Sequence, residues 1–140
     1  MNYGELLFSL LVSLQAVFKK KINIKDVSFP QILAISIIEP QGIDMSTISE
    51  RMGIDNSTAT RLIIGLEKKG WVKRIRSEAD SRVVNVFFTQ KGEAFQKEIE
   101  DQIDKLGSLF ERGLDSNQKT ELNDQLSSIH WLISKLELEN

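Results

Sequence analysis

Residues 44–89 read DMSTISERMGIDNSTATRLIIGLEKKGWVKRIRSEADSRVVNVFFT. Asp44 offers a helix cap, the next residues form one short helix, and Gly53 stops it. A second helix starts at Asp55-Asn56-Ser57, runs to Lys69 and stops at Gly70. Two short helices joined by a glycine-containing turn make a helix-turn-helix. The stretches Trp71–Arg76 and Val83–Thr89 are rich in β-branched and aromatic residues, which predicts a pair of strands. Between them Ser77-Glu78-Ala79-Asp80-Ser81-Arg82 is polar and too long for a tight hairpin, so an exposed loop is expected. Helix-turn-helix, strand, loop, strand is the order of a winged helix.

On a wheel of about 100° per residue the second helix has two faces. Ala59, Leu62, Ile63 and Leu66 share the inner one. Ser57, Arg61, Ile64 and Lys68 point the opposite way, with Thr58 and Thr60 on the flanks. Short hydroxyl side chains and an arginine near a helix N-terminus allow close approach to base edges and phosphates. On an isolated helix the same residues would be plain solvated surface. The wing that follows favours the reading face.

Outward from this segment, Ser28-Phe29-Pro30 opens another helix, with proline at a permitted first-turn position. Ile32, Leu33, Ile35, Ile37 and Ile38 make it apolar almost all round, so it is expected to be buried, ending at Glu39-Pro40-Gln41-Gly42. Apolar residues at 6, 7, 10, 11, 14, 17 and 18 form a broad helical stripe, widened by Phe8 and Val12. Phe95, Ile99, Ile103, Leu106 and Phe110 form a second stripe. Leu122, Leu126, Ile129, Ile133 and Leu136 form a third, beyond a break at Asp115-Ser116-Asn117 that supplies a cap. This is more apolar surface than a small middle domain can cover. A homodimer is the natural outlet, against the alternative of a closed monomeric bundle.

The chain has 140 residues, 41% hydrophobic and 27% charged, enough for a buried core. It has no cysteine, which excludes disulfides, thiol nucleophiles, thiol redox switches and cysteine zinc sites. The single histidine, His130, lies on an apolar helix. There is no Gly-rich phosphate loop, and the carboxylates are scattered, so an enzyme is a poor reading; no catalytic residue, metal or cofactor is assigned. The run Leu6–Val12 has the wrong flanks for a signal peptide, with Glu5 before it and Lys19-Lys20-Lys21 after it. It is also too short for a membrane span, so a cytoplasmic protein is expected. The net charge of −2 hides a polarity. Residues 51–91 carry nine Lys/Arg against four Asp/Glu, or +5, whereas 1–50 carry −1 and 92–140 carry −6. A basic reader between neutral and acidic flanks suits nucleic acid.

Several motifs resemble the MarR family of bacterial transcriptional regulators: Ser57-Thr58-Ala59-Thr60-Arg61-Leu62, then Leu66-Glu67-Lys68-Lys69-Gly70-Trp71-Val72-Lys73-Arg74, then Asp80-Ser81-Arg82 and Thr89-Gln90-Lys91-Gly92. The resemblance implies a mainly α fold with a small β wing. Residues 1–27 would be an N-terminal dimerisation helix, 28–91 a winged helix-turn-helix, and 92–140 C-terminal dimerisation helices. It implies that Ser57, Thr58, Thr60 and Arg61 contact the major groove and nearby phosphates. Arg82 would enter the minor groove, whose narrow stretches attract arginine, and Asp80 would hold it by an ion pair. Lys68, Arg74 and Arg76 are further candidates for DNA contact. Ile64-Gly65 depart from the family, which often has polar residues there; Gly65 could permit close approach of backbone to DNA or mark an unusual operator.

The implied partners are double-stranded DNA, a second copy of the chain, and a small aromatic or phenolic effector. Phe18, Trp71 and Trp131 are candidates to line the effector pocket, each with plain core as the alternative. The implied mechanism is a twofold dimer reading a pseudo-palindrome, with the effector altering the separation of its two heads. A winged-helix adaptor or antirepressor that binds protein instead of DNA is the competing class.

Overall fold

Each short helix starts where a side chain takes over the orphan N–H groups of its first turn. In the computed structural model, which describes residues 1–139, Asp44 caps α3 (Met45–Met52) through the Thr47 N–H, and Asp55 caps α4 (Asn56–Lys68) through the Thr58 N–H. Ser28 and Gln31 form a reciprocal capping box on α2 (Phe29–Ile37). Asp115 and Gln118 do the same on α6 (Ser116–Glu137). The remaining helices are α1 (Tyr3–Lys21) and α5 (Gln90–Phe110). The turn between α3 and α4 is closed by Ser49, a buried hydroxyl that donates to Asn56 Oδ1 at 2.6 Å.

The wing comprises β2 (Val72–Arg76) and β3 (Val84–Phe88), antiparallel, with Arg74 opposite Val86 and Arg76 opposite Val84. A third strand completes the sheet. β1 (Ile43–Asp44) pairs with β3, giving the order β1-β3-β2. Two residues carry no periodicity, so only the pairing with Val86 and Asn85 defines this strand. The turn before it runs Glu39-Pro40-Gln41-Gly42 and closes through the Gly42 N–H on the Glu39 carbonyl at 2.9 Å. Gly42 has φ +92°, and a Cβ there would lie 2.4 Å from the Phe87 ring. Only glycine suits both constraints.

The core lies in the middle segment. Ile35, Ile48, Ala59, Ile63 and Leu66 are fully buried, with Val72 and Val86 from the sheet and Phe95 and Ile99 from α5 beside them. The expected inner face of α4 is thus inside, although Leu62 is only half-buried. Leu33 departs from expectation: it is 43% exposed and borders an open cavity between α1, α2 and α5. Hydropathy alone marked it as core, but the packing covers α2 incompletely.

The chain forms two compact units, Met1–Ile103 and the segment from Asp104 onward, the boundary falling within α5. No residue of α1 or α6 is buried in the single chain. Their stripes stay open: Leu11, Leu14, Leu126 and Leu136 are all half exposed or more.

Candidate nucleic-acid interface

The Asp55 carboxylate organises the start of α4. It accepts the Thr58 N–H at 2.7 Å and the Ser57 hydroxyl at 2.8 Å. These bonds, the Thr58 N–H foremost, pull its pKa down to about 2. Thr60 donates its hydroxyl back to the Asn56 carbonyl, so Ser57 and Thr60 keep acceptor lone pairs free on the outer face. Arg61 rests one guanidinium nitrogen 3.3 Å from Thr58 Oγ1. Ser57, Arg61 and Lys68 are exposed, and Ile64 between them is half-buried. The hydroxyl-and-cation face read from the sequence is the solvent face of α4.

Gly65 lies against a side chain of another helix. A Cβ there would lie 2.7 Å from Gln31 Nε2, in the first turn of α2. The glycine leaves room for the Gln31 side chain.

The wing loop is organised by Asp80. Its carboxylate accepts the Arg82 N–H and Nε at 3.0 Å on one oxygen and Nη2 at 3.0 Å on the other. The guanidinium and carboxylate meet fork to fork. The two-point bond lowers the Asp80 pKa and raises that of Arg82. The Arg82 side chain remains 88% exposed, so it is aimed without being withdrawn from solvent. Arg76 donates to the Ser81 carbonyl and supports the loop from inside. Thr60, Arg74 and Arg82 line one cleft of about 230 Å³ together with Asp44, Met45 and Ser46. The wing and the outer edge of α4 therefore border a shared space.

Arg74 is engaged elsewhere. Its backbone N–H reaches Glu67 Oε2 at 3.2 Å, while Nε and Nη2 reach Oε1 at 3.3 and 3.1 Å. These bonds lower the Glu67 pKa, the guanidinium contributing most. The sequence marked both residues as family-like, but their pairing needed β2 folded against α4.

Thr89-Gln90-Lys91-Gly92 is a structural knot. The Thr89 hydroxyl donates to the Gly70 carbonyl at 2.6 Å and accepts the Gly92 N–H at 3.0 Å, while Lys91 Nζ reaches the Lys69 carbonyl at 3.2 Å. Trp71 stacks on Phe95 with centroids 3.8 Å apart and the Lys69 ammonium 5.4 Å over its ring. It is thus packed between these two neighbours. Phe18 lines a cavity of about 410 Å³ between α1, α2 and α5 that also takes in Phe29, Ile32 and Ile103. Among the described residues its polar lining is Gln15 and Ser36. Trp131 is in neither a core nor that cavity. It is 61% exposed and borders an open groove with Ser127, Ser128 and Leu132. Among the described residues, no group of three or more Asp, Glu or His side chains is placed to hold a metal ion, and no helix is long and apolar enough to cross a membrane.

A helix-turn-helix joined to a hairpin with an exposed, carboxylate-aimed arginine in its loop defines a winged helix. The model of the MarR family matches residues 28–84 of this chain. The protein is similar to the HTH-type transcriptional regulator TtmR of Methylorubrum extorquens, 29% identical over 105 residues that cover 74% of this chain. The chain spans only 53% of the length of that relative. A MarR transcriptional regulator from Methanosarcina mazei has the same fold, with a TM-score of 0.80, 26% identity and coverage of 95% and 96% of the two chains. Streptococcus pneumoniae FabT, solved in complex with DNA, shares the fold at a TM-score of 0.76 and 22% identity, over 96% of this chain and 99% of that one.

Proposed function

We propose that this protein is a homodimeric transcriptional repressor that binds a pseudo-palindromic operator and is released by a small molecule. The observation that carries the DNA reading is the Asp80–Arg82 pair. An exposed cation held at two points, in a loop beside the hydroxyl face of α4, is the equipment for reading a minor groove next to a major groove. Ser57, Thr58, Thr60 and Arg61 are the major-groove and phosphate contacts in this reading. Lys68 and Arg76 are further candidates, and Arg76 already spends a donor on the wing. The fold is shared with FabT, which was solved on DNA.

The dimer is supported by α1 and α6, which carry apolar stripes and have no fully buried residue within one chain. A second copy would cover them, and residues 1–27 and 92–140 would then form one dimerisation region around the 28–91 reader. Two heads related by a twofold axis would read half-sites about 10 base pairs apart or a multiple of that. The cavity at Phe18 is the place for an effector, and its lining suits the aromatic body of a small ligand better than a carboxylate. A ligand there would sit between α1, α2 and α5 and bias the spacing of the heads. The protein would act in the cytoplasm, where the operator is.

Selection of bound fragments from genomic DNA with the purified protein, followed by a salt titration on the recovered site, tests this reading. Recovery of a palindrome with affinity falling steeply as salt rises is the expected result. No enrichment, with a flat salt response, would favour the protein-binding adaptor instead.

A further inference from the structure

We propose that Glu67 and Arg74 are positioning residues that brace the wing against the recognition helix, with Arg74 serving as a strut and not as a phosphate contact. The inference rests on the DNA-binding reading above. β2 is an edge strand in the order β1-β3-β2, so alternate N–H groups along it point away from the sheet. Arg74 is opposite Val86, and its N–H is one of these, because it reaches Glu67 and not β3. The same carboxylate takes Nε and Nη2, so main chain and side chain at the middle of β2 are tied to the last turn of α4 by three bonds. Side-chain exposure of the pair is 34% and 35%, against 88% for Arg82. A cation this committed has its donors facing its own helix. A phosphate would have to compete with a carboxylate already in two-point contact.

The consequence concerns geometry. The outer face of α4 and the Arg82 loop must meet one duplex together, and a small error in their relative placement forfeits contacts on one side. Arg74 borders both the Glu67 side and the Thr60–Arg82 cleft, so it stands at the junction of the two reading elements.

The test uses operator recovered as above, with the wild-type protein and the variants Glu67→Ala, Arg74→Gln and the double variant. For a strut, Glu67→Ala weakens binding roughly tenfold although it removes a negative charge. Arg74→Gln weakens it by a similar factor, the double variant is no worse than either, and all keep the wild-type salt slope. A phosphate-contacting Arg74 gives the opposite pattern: the slope falls by about 0.9 in Arg74→Gln, and Glu67→Ala binds more tightly by freeing the cation. Either of those results overturns the proposal. Amide hydrogen exchange supplies a readout without DNA. The Arg74 N–H should exchange at least about tenfold faster in Glu67→Ala, while the amides bonded across to β3 keep their protection. Equal exchange in both proteins overturns the strut. Wild-type protein that shows no salt-dependent DNA binding would refute the regulatory reading instead, and exchange would then judge the brace alone.

Discussion

Replacing Gly92 with alanine should unsettle the knot between the wing and α5. A Cβ at that position would lie 1.8 Å from the Trp71 carbonyl oxygen and 2.8 Å from its carbon, with Phe88 Cδ1 at 3.0 Å. Ordinary carbon–oxygen contact begins near roughly 3.3 Å, so backbone must retreat by about 1.5 Å on one side or the other. Neither side is free. The Trp71 carbonyl accepts the Thr89 N–H at 3.1 Å, and the Gly92 N–H is held on Thr89 Oγ1 at 3.0 Å. Overpacking of this kind costs about 1–3 kcal/mol, and one lost hydrogen bond adds about 1 kcal/mol. Higher helix propensity returns at most about 1 kcal/mol. The net is about 2 kcal/mol of destabilisation, or roughly 8 °C in Tm for a domain of this size. Thermal unfolding followed by circular dichroism at one fixed protein concentration measures it, because self-association makes Tm depend on concentration. Gly107→Ala in the same helix is the control: nothing lies within 4 Å of its Cβ position, so Tm should hold or rise. If Gly92→Ala melted like the wild type, the close approach of Trp71 to α5 would be refuted.

Other expectations can be checked with the same preparations. Arg82→Ala should lower operator affinity and reduce the salt slope by about 0.9 with little change in Tm; Asp80→Ala should also weaken binding despite removing a negative charge, and tighter binding would show that Asp80 does not aim Arg82. Asp55 titrates at about 2 in the folded protein against about 3.9 in an unfolded chain, so its stabilising contribution is complete above pH ~4 and is lost as pH falls toward 2. Asp55→Ala should therefore lower Tm at neutral pH and converge on the wild type in acid melts, and a constant gap down to pH ~2 would argue against the cap. Leu126→Asp on the exposed stripe of α6 should shift the sedimenting species from dimer to monomer while the helical spectrum of each chain persists; an unchanged dimer would move the interface elsewhere.

What the sequence settled by itself is local. Capping aspartates and stop glycines sit within a few residues of the ends they define, so α3, α4 and the hairpin could be bounded directly. The inner face of α4 follows from a 3.6-residue period, and the Asp80–Arg82 pair lies two residues apart in one loop. What the tertiary structure decided involves partners far apart in the chain. β1 exists only because Val86 and Asn85 accept it as a neighbour. Leu33 is as apolar as Ile32, but its exposure depends on which side of α2 the rest of the core reaches. Gly65 answers to Gln31, and Gly92 to the carbonyl of Trp71. Arg74 looked like one more basic residue in a basic segment until the register of β2 brought it against Glu67. Charge composition counts cations, but only the fold determines which of them a carboxylate has already claimed.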